Sequence, residues 1–456
     1  MKQKLIIISI LVVGITTILS CKKFVDVDPP KTEILTSEAF LQDKSATSAV
    51  LGIYANMVND NNFINSGITI YSGVAADEFA SAQDPEGLQF EKNQILPTSS
   101  IINSMWTGAY RNLAQINTCI TGLEASNTLT PAVKAQLLGE AKFSRAYTNF
   151  YLVNLFGNVP LVTGLDYKQN AIIAQSNSTD VHKAIIADLL DAQSQLSNTY
   201  PTSGKVRPNK LAATALLARA YLYVNDYANA EIQASAVISS GTYGPLPTLT
   251  NTFLRGSIET IWQLLPLSNY SATQEGYIFL RQATTGGGYY FTSDLLNSFE
   301  TGDNRKTAWI GTATASGVTY NYPFKYKDVG QYLPATVTEN YIMLRLSEQY
   351  LIRAEARAQQ GNLTNALSDI NVIRSRAGLP NFNTTDKVTL LTAIANENRH
   401  EFFAEWGHRW LDLKRTGTVN AVLSAKKPTW KASAALFPIP QSEIIVNKSL
   451  VQNPGY

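Results

Sequence analysis

His400 to Ala404 reads "HEFFA", and the chain has only three histidines. A zinc-protease signature needs a second imidazole four residues on, so that both rings face one metal. Ala404 stands there instead. His408 lies eight residues from His400, with Glu401 and Glu405 between, and no metal site is expected from so thin a set. Glu397, Glu401 and Glu405 recur every four residues, which places three carboxylates on one helix face. They repel one another unless cations reach them. Arg399, Arg409 and Arg415 are close in sequence, and Arg345 or Arg353 is placed to come from a neighbouring helix. The expectation is a structural ion-pair network.

A second cluster is "ADEF", Ala76 to Phe79, where Asp77 and Glu78 are adjacent carboxylates. Glycoside hydrolysis needs two carboxyl groups facing each other across a bond, about 5 to 10 Å apart depending on mechanism. Adjacent residues seldom point that way, and no second acidic cluster accompanies them. The chain has no Gly-x-Ser-x-Gly, no phosphate-binding glycine loop and no dinucleotide fingerprint. "TTGGG" at Thr284 to Gly288 lacks the Lys-Ser/Thr that a phosphate loop requires. Neither a catalytic residue nor a cofactor is expected, and the chain reads as a binding protein.

Aromatic residues carry the stronger signal. Tyr270, Tyr277, Phe279, Tyr289, Tyr290 and Phe291 fall in a polar, glycine-rich stretch without helical spacing. Rings on loops offer a flat apolar face with a polar edge, which suits sugars. Half of them are expected to pack beneath their own loops, leaving two or three at a site. Trp106 and Tyr110, four apart on a helix, are expected in the core.

These groups need a scaffold. The 3.6-residue period of amphipathic helices runs through Ser37–Val58, Ile101–Leu123, Pro131–Phe156, Asp180–Leu196, Asn209–Ser240, Tyr341–Arg376 and Val388–Lys414. Pro131 suits a first turn with Thr130 as cap, and Gly157, Gly241 and Gly378 sit where left-handed C-caps fall. "LARAYLYVNDYANAEIQASAVI" and "RAEARAQQGNLTNALSDINVIR" align at a constant offset of 136, matching Ala218 with Ala354, Ala220 with Ala356 and Ala230 with Ala366. Small residues on one helix and a turn before the next predict tetratricopeptide-like helix pairs. From about 240 to 340 the chain turns to Gly, Thr, Tyr and Pro, predicting long loops and short hairpins.

The N-terminus sets the compartment. Lys2 and Lys4 precede an uncharged apolar run, Leu5 to Leu19, in the layout of a signal peptide. Ile18, Leu19 and Ser20 before Cys21 resemble a bacterial lipobox, in which the cysteine is acylated and becomes the first residue. Removing residues 1–20 takes two lysines and no acid, so the formal charge falls from +2 to 0 and no nucleic-acid partner is expected. With Cys21 acylated, Cys119 has no disulfide partner and is expected in the core.

Several segments together resemble the SusD/RagB family of outer-membrane nutrient-binding lipoproteins, over nearly the whole chain. In order they are "CKKFVDVDP", "TSEAFLQDKSATSAVLGIYANM", "MWTGAYRNLAQIN", "EAKFSRAYTNFYLVNLFGNVPLVT", "GTYGPL…ETIWQL", "LRLSEQYLIRAEARAQQGN…ALSDINVIRSRAGLP", "ENRHEFFAEWGHRWLDLKRTG" and "LFPIPQSEIIVNKSLVQNPGY". Asn398 stands where many relatives carry an arginine, which alters the ion-pair network. The resemblance implies a mainly α fold: a signal peptide (1–20), a tether (21–36), and one α-rich domain (37–456) of tetratricopeptide-like helix pairs with an irregular ligand-binding half. It implies a lipid-anchored protein facing the cell exterior, which catches oligosaccharides and passes them to a SusC-type TonB-dependent transporter. Some relatives handle peptides. Because the family's ligand residues vary, Tyr71, Asp77, Glu78, Phe79, Tyr270, Tyr277, Tyr289 and Tyr290 are candidates on chemistry alone. A secreted hydrolase and a pure helical-repeat scaffold stay open as other classes.

Overall fold

A computed structural model of the chain describes residues 38–59, 63–81, 84–266, 271–283, 288–331 and 335–456. Cys21, the tether, Tyr270 and residues 284–287 lie outside them.

The long helices start and stop where local chemistry dictates. Asn209 caps Lys210–Tyr223 by accepting from the Ala212 N–H at 2.9 Å, and Asp226 caps Tyr227–Ser239 through the Asn229 N–H at 3.1 Å. Thr130 occupies the cap of Pro131–Phe156, but its hydroxyl makes no capping bond. Gly157 and Gly378 take φ of 76° and 81° just past helix ends, a region that costs a side-chain-bearing residue energy.

The repeats, separated by 136 residues in sequence, are neighbours in space. Ala218, Leu222, Ala230 and Ala234 of the first pair share a buried cluster with Ile352 and Ala356 of the second. Ala354, Ala358, Ala366 and Ile370 then pack with Leu390 and Ile394 of the Lys387–Phe402 helix. Small side chains let the helix backbones approach; an Ala230→Leu change would overpack this seam at about 1–3 kcal/mol. The stack continues the other way, with Lys210–Tyr223 on Ser178–Gln195 and that helix on Pro131–Phe156, which packs on Ser100–Ala125. Trp106 is buried, and Tyr110 packs on it at 4.9 Å between ring centres. Cys119 is buried and free. No helix among the described residues is long and apolar enough to cross a membrane.

The loop-rich segment is therefore an excursion from a continuous helical stack. Among the described residues three two-stranded ribbons hold it: Phe79–Ser81 with Tyr289–Phe291, Thr260–Leu264 with Tyr341–Arg345, and Ile310–Ala315 with Val318–Pro323. The last is a hairpin whose turn residues, Ser316 and Gly317, both have positive φ, as a two-residue I′ turn requires. Two helix expectations need correcting here. Tyr341–Arg345 is a strand paired with Thr260–Leu264, and its unbroken buried run could not be told from a helix by period. Val388–Lys414 is not continuous: the helix ends at Phe402 and resumes at His408.

Candidate ligand-binding site

The break after Phe402 organises the neighbourhood of "ADEF". Ala404, Trp406 and Gly407 all have positive φ, and their segment docks on the Gly67–Ala75 helix. A Cβ on Gly407 would come within 2.9 Å of Ser72 Cβ. The backbone N–H of Trp406 donates to Thr69 Oγ1 at 3.1 Å and its indole N–H to the Ile342 carbonyl at 2.7 Å. Acceptors outside the helix thus replace those a continuing helix would have offered.

Asp77 and Glu78 lie inside this junction. Asp77 is 3% exposed and accepts from Arg409 at 2.7 and 3.0 Å, Arg399 at 3.1 Å and Lys426 at 2.5 Å. Burial alone would raise its pKa; the Arg409 hydrogen bond and the charges of Arg409 and Arg399 outweigh that and hold it well below the usual carboxylate range. Asp294, half-exposed, shares Arg399 and Lys426. Glu78 is equally buried, and burial together with the Asp77 charge pushes its pKa up to about 8. It accepts from the Ala404 N–H at 3.5 Å. Neither carboxyl reaches the surface, so both support the site from behind and are not placed to touch a ligand.

The expected carboxylate network exists with a different set of cations. Arg345 engages Glu401 and Glu405, but Glu397 is met by Arg305 and Arg374, Glu401 also by Arg376, and Glu405 also by Lys325. Arg399 and Arg409 serve Asp77, Arg415 pairs with Glu355 and Asp412, and Arg353 with Asp369. The reason is the break: it carries Glu405 off the helix face that holds Glu397 and Glu401. His400 bonds Ser298 and stacks on Phe299, whereas His408 stacks on Phe402. Among the described residues no three His, Cys, Asp or Glu side chains are grouped to hold a metal.

In front of this junction stands the Phe79–Ser81/Tyr289–Phe291 ribbon. It is extended by the Thr292 N–H donating to the Glu78 carbonyl at 2.9 Å, and the Thr292 hydroxyl donates to the Asp77 carbonyl at 2.8 Å. Residues on a ribbon alternate faces. Phe79 and Phe291 point inward and stack at 5.4 Å, with Phe279 at 5.5 Å from Phe79. Gly73 makes room, since a Cβ there would meet the Phe79 ring at 2.4 Å. Tyr289 is also buried: its hydroxyl donates to Asp84 at 2.8 Å, and Tyr71, half-buried, sits edge-on to it at 6.4 Å. Burial raises the Tyr71 pKa to about 12.

Tyr290, between these inward residues, is half-exposed, and its ring lies 5.0 Å from that of half-exposed Tyr320 at a 57° tilt. Tyr277 reaches the surface nearby on the Gln274–Ala283 helix, with the Arg281 guanidinium 4.6 Å over its ring. Glu91 accepts from the Ser81 N–H at 2.8 Å and adds a carboxylate beside Tyr290. The structure thus brings Tyr71, Phe79, Tyr289 and Tyr290 together, with only Tyr290 and Tyr71 of these reaching solvent. Tyr320 was missed from sequence. Its signal was the two-residue alternation of "TYNYPF", which marks Tyr320, Tyr322 and Phe324 as one strand face.

Fold and site together define a stack of tetratricopeptide-like helix pairs that displays a partly exposed aromatic surface on a looped excursion. The model of the SusD family matches residues 311–456, and a second SusD-like model, described as starch-binding associating with outer membrane, matches residues 23–222. The chain belongs to the SusD family. It is 25% identical to SusD-like protein P2 of Formosa agariphila, over 98% of both chains. It is 26% identical to the starch-binding protein SusD of Bacteroides thetaiotaomicron, over 73% of this chain and 75% of that one. Among solved structures, a SusD superfamily protein from Bacteroides vulgatus superposes with a TM-score of 0.81 at 19% identity, covering 91% of this chain and all of the other. A laminarin-binding SusD-like protein gives 0.75 at 24% identity, over 91% and 99%.

Proposed function

We propose that this chain binds glycan oligosaccharides outside the cell and delivers them, uncleaved, to a SusC-type TonB-dependent transporter. The observation that carries the reading is the Tyr290–Tyr320 pair, two tilted, half-exposed rings, one on a ribbon whose other face is buried and one on the neighbouring hairpin. Flat rings on a rigid support lose little freedom when a sugar stacks on them. Tyr277 lies near this surface on the Gln274–Ala283 helix, while Tyr71 packs on Tyr289 behind the ribbon and, with Phe79, Asp77 and Glu78, fixes its position. Family membership supports outer-membrane association, and two relatives are named for starch and laminarin binding. Uncleaved delivery is favoured because Asp77 is saturated by cations and Glu78 is buried, which leaves this pair unable to flank a glycosidic bond.

On this reading residues 1–20 are removed, Cys21 carries the lipid, residues 21–36 tether, and residues 37–456 form one domain. A protein held by lipid cannot itself move a ligand across a membrane, which is why a barrel partner is proposed. The test is a glycan array probed with the full chain in mild detergent, followed by chromatography of the bound sugars after incubation. Binding with sugars recovered at full length is expected. Release of shorter sugars would make the protein a hydrolase, and an array without signal would remove the glycan.

A further inference from the structure

The strand that carries Tyr320 leads to a second concave surface. Tyr320, Tyr322 and Phe324 share one strand face, and the Phe324 N–H donating to the Trp309 carbonyl at 2.8 Å carries the ladder beyond the hairpin. Tyr322 lies over Gly311, where a Cβ would meet its ring at 2.5 Å, and is edge-on to Phe324 at 6.1 Å. Four residues of strand span about 13 Å. Phe324 then forms part of the wall of an open cleft of about 820 Å³, bounded by the 246–250 loop, the Asn304–Trp309 helix and the end of the Leu363–Arg376 helix.

The lining of this cleft is one-sided in charge. Lys327 stands exposed at it, with its ammonium 5.1 Å over the Phe324 ring, and Arg376 lies at its inner edge. No aspartate or glutamate lines it. The nearby Glu339 carboxylate is already taken by the backbone N–H groups of Lys327 and Asp328 at 2.8 to 3.1 Å. Arg376, its side chain 6% exposed, gives two nitrogens to Glu259 and Glu401 and leaves its buried Nε–H without an acceptor. The Thr307 hydroxyl and the Thr248–Thr250 hydroxyl pair, 3.2 Å apart, line the same wall and leave it able to donate as well as positively charged. A neutral sugar offers donors and acceptors in equal measure, whereas an oxyanion offers acceptors and charge, and matches this wall better.

We propose that this cleft is an anion-accepting subsite, which takes a uronate or sulfate group on a glycan whose other rings lie along Tyr290 and Tyr320. The inference rests on the glycan reading above and adds the class of sugar. Its test starts from the strongest array signals and compares each acidic oligosaccharide with its matched neutral form by calorimetry: methyl-esterified for a uronate, desulfated for a sulfate. The acidic form is expected to bind at least tenfold tighter. Lys327→Gln, an exposed change that leaves the fold intact, should abolish that ratio without weakening the neutral form. Which pair shows the ratio decides between uronate and sulfate. Equal affinity within every pair, or a ratio that survives Lys327→Gln, overturns the subsite and leaves the glycan reading standing. Binding of an acidic peptide with no glycan bound would overturn both.

Discussion

Glu275 offers a sharp test of how the loop-rich half is built. It lies in the first turn of the Gln274–Ala283 helix, 3% exposed. One oxygen accepts a long bond of 3.4 Å from Thr69, the other has no partner, and no salt bridge reaches it among the described residues. Burial pushes its pKa up to about 8. Folding therefore keeps a proton that the unfolded chain gives up near the ordinary glutamate value of about 4.3. A group raised in this way gives its full stability below the unfolded value and loses it as pH climbs to the folded one. At about 1.4 kcal/mol per pH unit, the loss between about pH 4.5 and 8 approaches about 5 kcal/mol. Glu275→Gln keeps the shape and removes the titration. The variant should match the parent near pH 4 and exceed it by several kcal/mol at pH 8, in urea unfolding across a pH series. Glu78, also raised to about 8, adds its own slope, which is common to both proteins and cancels in the difference. A stability difference that does not change with pH, or a variant less stable at pH 8, would refute the reasoning.

Asp77→Asn should cost about 3–5 kcal/mol, because it leaves Arg399, Arg409 and Lys426 facing one another with only half-exposed Asp294 between them. Asp77 itself titrates below the usual range, but its charge also raises Glu78, so urea unfolding should find that cost largest near pH 5, narrowing toward pH 8 as Glu78 ionises more readily in the variant, and shrinking again in stronger acid; a cost under 1 kcal/mol would show the cluster to be mere surface charge. Cys21→Ala should leave the protein unprocessed or free of membranes, since each buried acyl methylene contributes about 0.8 kcal/mol to anchoring; normal cleavage with continued outer-membrane fractionation would refute lipid attachment. Purification from the native membrane in mild detergent should bring down a large barrel protein, and recovery of this chain alone would count against the transporter.

Some of this was legible in residues alone. Pro131–Phe156 was visible because its period is unbroken and proline and glycine mark its ends. The repeat was visible because close helix packing demands alanine at fixed places, so Ala218 and Ala354 record the same contact geometry. Other features left no local trace. The strand Tyr341–Arg345 is buried on both faces, so period cannot identify it. The break at residues 403–407 depends on acceptors from Thr69 and Glu78, more than 300 residues away in sequence. The same distance hid the fate of Asp77, whose residue type suggests a ligand contact until Arg399, Arg409 and Lys426 arrive from the far end of the chain. Tyr289 and Tyr290 look alike in sequence, and only the ribbon's register turns one inward to Asp84 and the other outward to Tyr320.

Register also selects the residues for the most direct measurement. Calorimetric titration of the strongest array glycan should be repeated with Tyr290→Ala and Tyr320→Ala, singly and together, with circular dichroism as a check on the helical scaffold. Each ring is expected to contribute roughly tenfold, about 1.4 kcal/mol, with the double variant losing detectable binding while its helices remain. Unchanged affinity in the folded double variant would contradict the account, because no glycan site could then lie on this aromatic surface.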